Sequence, residues 1–150
     1  MTPVVAAGSG FLLAVLWFDL MFDVQAARSR NRELPETVLA STAAYYRRVT
    51  TAARPMNRLV AVVMAGTIAA IIVQLLRDDA PRWAASASLA LTAGAISLAA
   101  LHTVPSAVRL GARSDTLSGQ SRLARSILRD HLLCITAVAA VLFVQLMFAR

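Results

Sequence analysis

The stretch VVAAGSGFLLAVLWFDLMFDV, residues 4–24, decides the class of this protein. About 20 mostly apolar residues in a helix are needed to cross the hydrocarbon core of a bilayer. This run supplies them, and its only charged members, Asp19 and Asp23, fall near one end. Three comparable runs follow at residues 59–76, 83–101 and 131–149. The pattern predicts an all-α fold, a four-helix transmembrane bundle formed by one integral membrane domain over residues 1–150.

Composition agrees. The chain is 58% hydrophobic and 15% charged, with a mean hydropathy of +0.64. A soluble domain usually holds about 45–50% apolar and about 25% charged residues. A soluble fold of this length has no place for the surplus apolar surface, whereas a bilayer accepts it. The first run has no basic stretch before it and no A-x-A-like site after it, so a cleaved signal peptide is not expected. Cys134 is the sole cysteine, which excludes an internal disulfide and paired-thiol chemistry.

A net charge of +7 raises the question of nucleic acid. The position of the charges answers it. All fifteen basic residues are Arg, and twelve lie in two connections: Arg28, Arg30, Arg32, Arg47, Arg48, Arg54 and Arg58 in the first, and Arg109, Arg113, Arg122, Arg125 and Arg129 in the second. Only Arg77, Arg82 and Arg150 fall on the other side. Loops that carry such an excess stay in the cytoplasm, beside anionic headgroups. The sequence therefore predicts both termini outside and no nucleic-acid partner. An Ala- and Arg-rich chain without Lys suggests a bacterial plasma membrane.

The two Arg-rich connections are themselves expected to be helical. Pro35 and Glu36 fit a helix start, and ETVLASTAAYYRRVTTAA has a mixed apolar and polar pattern. Pro55 permits a kink before the second span. Ser118 or Ser121 would cap a helix that runs into the fourth span. Pairs of small residues four apart (Ala6 and Gly10, Gly66 and Ala70, Ala90 and Gly94) mark candidate helix contacts. The third span, mostly small residues, is expected to be the most enclosed. The fourth, with Leu142, Phe143, Leu146, Met147 and Phe148, is expected to face lipid.

Ionisable groups inside a span are expensive and are functional candidates by default. Asp19 and Asp23 are one helical turn apart on one face. His102 closes the third span, and Asp130 and His131 open the fourth, all at the Arg-rich end. Asp19, Asp23, His102 and His131 are thus candidates for acid–base catalysis or for holding a divalent metal such as Zn, Fe or Mn. A haem between the two histidines would be left half exposed. Trp17 and Arg109 are candidates for contacting a bound ligand. The structural alternative is that Asp19 and Asp23 pair with Arg28, Arg47, Arg48 or Arg109 and only fix helix packing. Ser88 and Thr92 would line a polar seam, Gln74 and Gln145 would bond across helices, Trp83 fits an interfacial anchor, and Tyr45 and Tyr46 look like an interfacial cluster.

The layout also resembles the anthrone-oxygenase-like family of small four-span membrane proteins. The residues that carry this are YYRR (45–48) before the second span, HTVPSAVRL (102–110) after the third and SILRDHLL (126–133) entering the fourth. The resemblance implies a cytoplasm-facing pocket for an apolar aromatic or quinone-like molecule, with His102 and His131 near it. Three functions follow as expectations: a membrane oxidoreductase or oxygenase-like enzyme, an accessory or structural subunit of a homo-oligomer or larger membrane complex, and an oligomeric small transporter or proton pathway. No internal repeat supports an inverted-repeat transporter.

Overall fold

A computed structural model describes residues 1–28 and 33–148 of the chain, with the side chain of Arg28 left aside. Arg30, Arg32 and Arg150, which entered the charge count above, lie outside the described residues. Six α-helices follow one another: α1 (Thr2–Arg28), α2 (Glu36–Thr51), α3 (Arg54–Leu76), α4 (Arg82–Leu98), α5 (Val104–Ala112) and α6 (Leu117–Met147). A π-helical turn, Ala99–Thr103, joins α4 to α5 without a break. Four helices are long and apolar enough to cross a membrane: Thr2–Ala27, Arg54–Leu76, Arg82–Ala112 and Leu117–Met147. They are helical because lipid offers no partner to backbone N–H and C=O groups, so a crossing segment must satisfy its own. This is a multi-pass, all-helical bundle, as its hydropathy predicts.

The order of enclosure is the reverse of expectation. A third of the α6 apolar window is buried (33%) against 22% for the third span. The reason is a stripe of Ala124, Ile127, His131, Cys134, Val138, Val141 and Gln145, all buried. Their spacing alternates four and three, the 3.5-residue period that keeps one seam of a helix against its neighbours. The bulky Phe143, Leu146 and Met147 do face outward, on the opposite side. Helices α1 and α4 flank α6, and α3 packs between α1 and α4.

Close approach between helices is also placed elsewhere than the small-residue pairs suggest. Gly10, Gly66 and Gly94 face open space, whereas a Cβ on Gly8 would stand 2.1 Å from Thr67 Oγ1. At the Arg-rich end, a Cβ on Gly111 would meet the backbone N of Arg47 at 2.9 Å. Helix α5 therefore touches α2 backbone to backbone.

Helix α2 buries Leu39, Thr42, Ala43 and Tyr46, one stripe at helical spacing. It lies over α5 and the first turns of α6, and Leu39, Ala43, Leu110, Ala124 and Ile127 form a second apolar core there. Thr116, rather than Ser118 or Ser121, caps α6, its Oγ1 accepting from Gly119 N at 3.3 Å. Ser121 instead ties the chain ahead of α2 to α6, accepting from Leu34 N at 3.0 Å.

The opposite end closes on a reciprocal amide pair. Gln74 Nε2 donates to Gln145 Oε1 at 3.0 Å, and Gln145 Nε2 returns a bond to Gln74 Oε1 at 3.2 Å. Thr2 Oγ1 and Ser88 Oγ accept the remaining amide hydrogens at 3.0 and 3.1 Å. One residue from each of α1, α3, α4 and α6 is joined in this buried layer. Beyond it, Asp78 takes a left-handed φ of 52° to turn the chain into α4, and the exposed Trp83 meets Phe148 edge to face.

The contact at Gly8 yields a test. Gly8→Ala should destabilise the bundle by about 1–3 kcal/mol, the usual cost of overpacking, in detergent unfolding. Thr67→Ala in the same chain should recover most of the loss, and Gly10→Ala should be nearly neutral.

Candidate functional site

Helix α1 carries Asp19 and Asp23 to the Arg-rich end, and each acid meets a tyrosine of α2. Asp23 is 1% exposed. Tyr46 Oη donates to its Oδ1 at 2.5 Å, and His131 Nδ1 stands 2.5 Å from its Oδ2. Tyr45 Oη donates to Asp19 Oδ1 at 2.5 Å, while the Tyr45 ring stacks on Phe22 with centroids 3.9 Å apart. The two phenol rings meet each other edge to face at 5.2 Å. A buried carboxylate without partners is costly, and charge-assisted bonds to O–H and N–H offset that cost.

The second pair lies one residue away along α6 and points elsewhere. Successive helix residues are rotated by about 100°, so Asp130 faces α4 and the π turn while His131 faces α1. His102 Nδ1 is 2.6 Å from Asp130 Oδ2, and Thr103 Oγ1 donates to the same oxygen at 3.0 Å. The π turn makes this possible. Pro105 has no N–H, and its ring would crowd the carbonyl four residues back. Widening the helix by one residue absorbs the proline without breaking it, a device that recurs at functional sites. The sequence reading ends the span near His102; the helix in fact continues through it to Ala112.

A cavity of about 400 Å³ opens beside this second pair, lined by Leu101, His102, Ser106, Arg109, Asp115 and Arg122 among others. The His102 side chain is about half exposed (49%) while Asp130 is buried. Arg109 Nη2 is paired with Asp115 Oδ1 at 2.6 Å. The other oxygen of Asp115 is buried and has no partner among the described residues.

The four candidates therefore fall into three separate pairings rather than one shared site. Asp23 and His131 form a buried pair, His102 joins Asp130 at the cavity, and Asp19 belongs to Tyr45. Among the described residues no group of three or more His, Cys, Asp or Glu is placed to hold a metal ion. Both oxygens of Asp23 are already engaged, by Tyr46 and His131, so the expected shared Zn, Fe or Mn cage does not assemble from these side chains. Trp17 is turned out of the bundle, 63% exposed. It precedes Asp19 by two residues, about 200° around the helix, so it does not share the acid's face. Neither aspartate pairs with Arg47, Arg48 or Arg109; phenols and an imidazole take that place. Tyr45 and Tyr46, read from sequence as an interfacial cluster, are the residues that reasoning missed. The signal available was two adjacent phenols on a helix that returns to the depth of two acids.

Burial first, and the neighbouring carboxylates second, push both phenols well above the ordinary tyrosine range. Comparison of the chain with protein-family models, with curated proteins and with solved structures gives no match.

The chain has only two tyrosines, so an alkaline absorbance titration reads this site alone. No tyrosinate should appear up to the point of unfolding, because the folded state keeps both protons. The unfolded chain gives them up near pH 10. The contribution of the phenols to stability is thus complete below about pH 10 and is lost as the pH climbs beyond it. Ionisation of either phenol near pH 10 in the folded protein would contradict the geometry.

Proposed function

We propose that this chain is a small membrane enzyme working by acid–base chemistry at its Arg-rich end, of the oxidoreductase or oxygenase-like class, on an apolar and weakly acidic substrate. The observation that carries this reading is the His102–Asp130 pair at the edge of the cavity. An ionised carboxylate at Nδ1 fixes the tautomer and orientation of an imidazole. Nε2 is then the atom that accepts a proton, from an acidic O–H or C–H of a substrate lying in the cavity. Asp130 and Thr103 act as positioning residues, and the Arg109 guanidinium supplies positive charge toward the anion that results. The buried Asp23–His131–Tyr46 unit holds α1, α2 and α6 together beneath the site. The arginine asymmetry supports a cytoplasmic location for this end, with both termini outside, and the Lys-free, Ala- and Arg-rich composition is the ground for a bacterial plasma membrane.

The transport reading has less support, because each acid that would couple ions is held by a phenol. A second reading, a subunit of an oligomer or larger membrane complex, draws on the outward-facing Gly10, Gly66 and Gly94. Such bare backbone lets another helix approach closely. If it holds, Gly66→Leu should shift the mass of the purified particle in mild detergent toward the monomer.

For the enzymatic reading, turnover of phenolic and quinone-like amphiphiles should fall by about 10²–10⁴-fold in His102→Gln, the usual size of a general-base contribution. Diethyl pyrocarbonate should label His102 and spare His131. Turnover that survives His102→Gln undiminished would rule out His102 as the base.

A further inference from the structure

Arg109 and Arg122 stand at one mouth of the cavity with unequal freedom. Arg109 is tied to Asp115. Arg122 is exposed and makes no ion pair among the described residues. It also borders a second cavity, of about 390 Å³, that includes Ser118 and Arg125. The same end of the third span turns an apolar strip outward: Leu101 is 80% exposed, Val104 53% and Val108 49%. Cation and strip adjoin, since Leu101 and Arg122 both line the first cavity.

Depth gives this pairing a meaning. Helix Arg82–Ala112 rises about 1.5 Å per residue, so His102 lies about 30 Å from Arg82, one hydrocarbon thickness. Arg109 falls about 10 Å further along. Counted back from Met147, Arg122 is about 38 Å along α6. Both guanidinium groups therefore sit at, or just past, the headgroup layer, and long arginine stems reach back to it easily. The apolar strip starts at the hydrocarbon edge with Leu101 and runs through Val104 to Val108, which stands at the depth of the two arginines.

We propose that this mouth is a binding site for the phosphate of an anionic phospholipid, held by Arg122 with Arg109 in support, its acyl chain lying on Leu101, Val104 and Val108. Guanidinium suits a phosphate because its planar fork donates two parallel hydrogen bonds. Asp115 competes for Arg109 and keeps it from binding anions at full strength. The phosphate lies about two helical turns from His102, so the imidazole stays free for the chemistry proposed above. The lipid site stands whether or not that chemistry does. A free phosphate ester offers the same head chemistry but gains nothing from the apolar strip, which is why a lipid is the favoured source.

The test uses the whole chain reconstituted in phosphatidylcholine nanodiscs containing a graded fraction of phosphatidylglycerol, with lipid retained on detergent release counted by native mass spectrometry. Phosphatidylglycerol should be retained over phosphatidylcholine. Arg122→Gln should lower that preference about fivefold, the usual worth of one basic residue at an anionic surface. Asp115→Asn, which frees Arg109, should raise it. Leu101→Ser with Val108→Ser should weaken it while leaving both arginines in place. Equal retention of the two lipids, or an unchanged preference in Arg122→Gln, would overturn the proposal. So would full displacement by millimolar inorganic phosphate, which would identify a free-phosphate site instead. His102→Gln separates the two readings, since it should cut turnover by about 10²–10⁴-fold and leave lipid retention untouched.

Discussion

An acid buried among apolar helices must find donors within the protein, and Asp23 finds two from different parts of the chain. Its oxygens take Tyr46 Oη and His131 Nδ1, each at 2.5 Å. That single carboxylate joins α1, α2 and α6. Without it, the amphipathic helix α2 would keep its apolar stripe on α5 and the start of α6, but only the Tyr45–Asp19 bond would fix its rotation against the first span, and no bond would tie either to α6 at this point. Breaking such a pair by removing one partner typically costs about 3–5 kcal/mol, because the other is left buried and unpaired.

The bundle is thus bounded by two polar layers of different chemistry. At one end, neutral amides from Gln74 and Gln145 exchange hydrogen bonds and enlist Thr2 and Ser88. Nothing there carries charge or readily moves a proton. At the other end, carboxylates, phenols and imidazoles are packed side by side, and one imidazole borders a cavity. Between the layers the helices meet through small and branched apolar side chains, and of the glycines Gly8 has the least room, against Thr67. Neutral and ionisable polar layers thus stand at opposite ends of the same four helices.

The adjacent Asp130 and His131 show how a helix distributes its side chains between neighbours. One backbone step turns Asp130 to the cavity-side pair and His131 to the buried one. The π turn at Ala99–Thr103 does the matching work on the facing helix, bringing both His102 and Thr103 onto Asp130. A regular helix would have to place Pro105 against the carbonyl four residues earlier. The irregularity that relieves the proline also seats the imidazole.

The residues by themselves settled the class, because apolar runs long enough to cross a bilayer have no other stable home. They also settled which ionisable groups share one end, since depth along a straight helix is a matter of counting. The partners were another matter. Asp19 and Asp23 share their end of the bundle with most of the arginines in the sequence, yet the rotation of α2 about its axis presented Tyr45 and Tyr46 to them instead. Nor could composition rank the enclosure of the spans, since large side chains on one face of α6 hid a seam of Ala124, Ile127, His131, Cys134 and Val138 on the other. Counting along a chain fixes height. Only the packing of helices against one another fixes azimuth, and azimuth decides which acid meets which base.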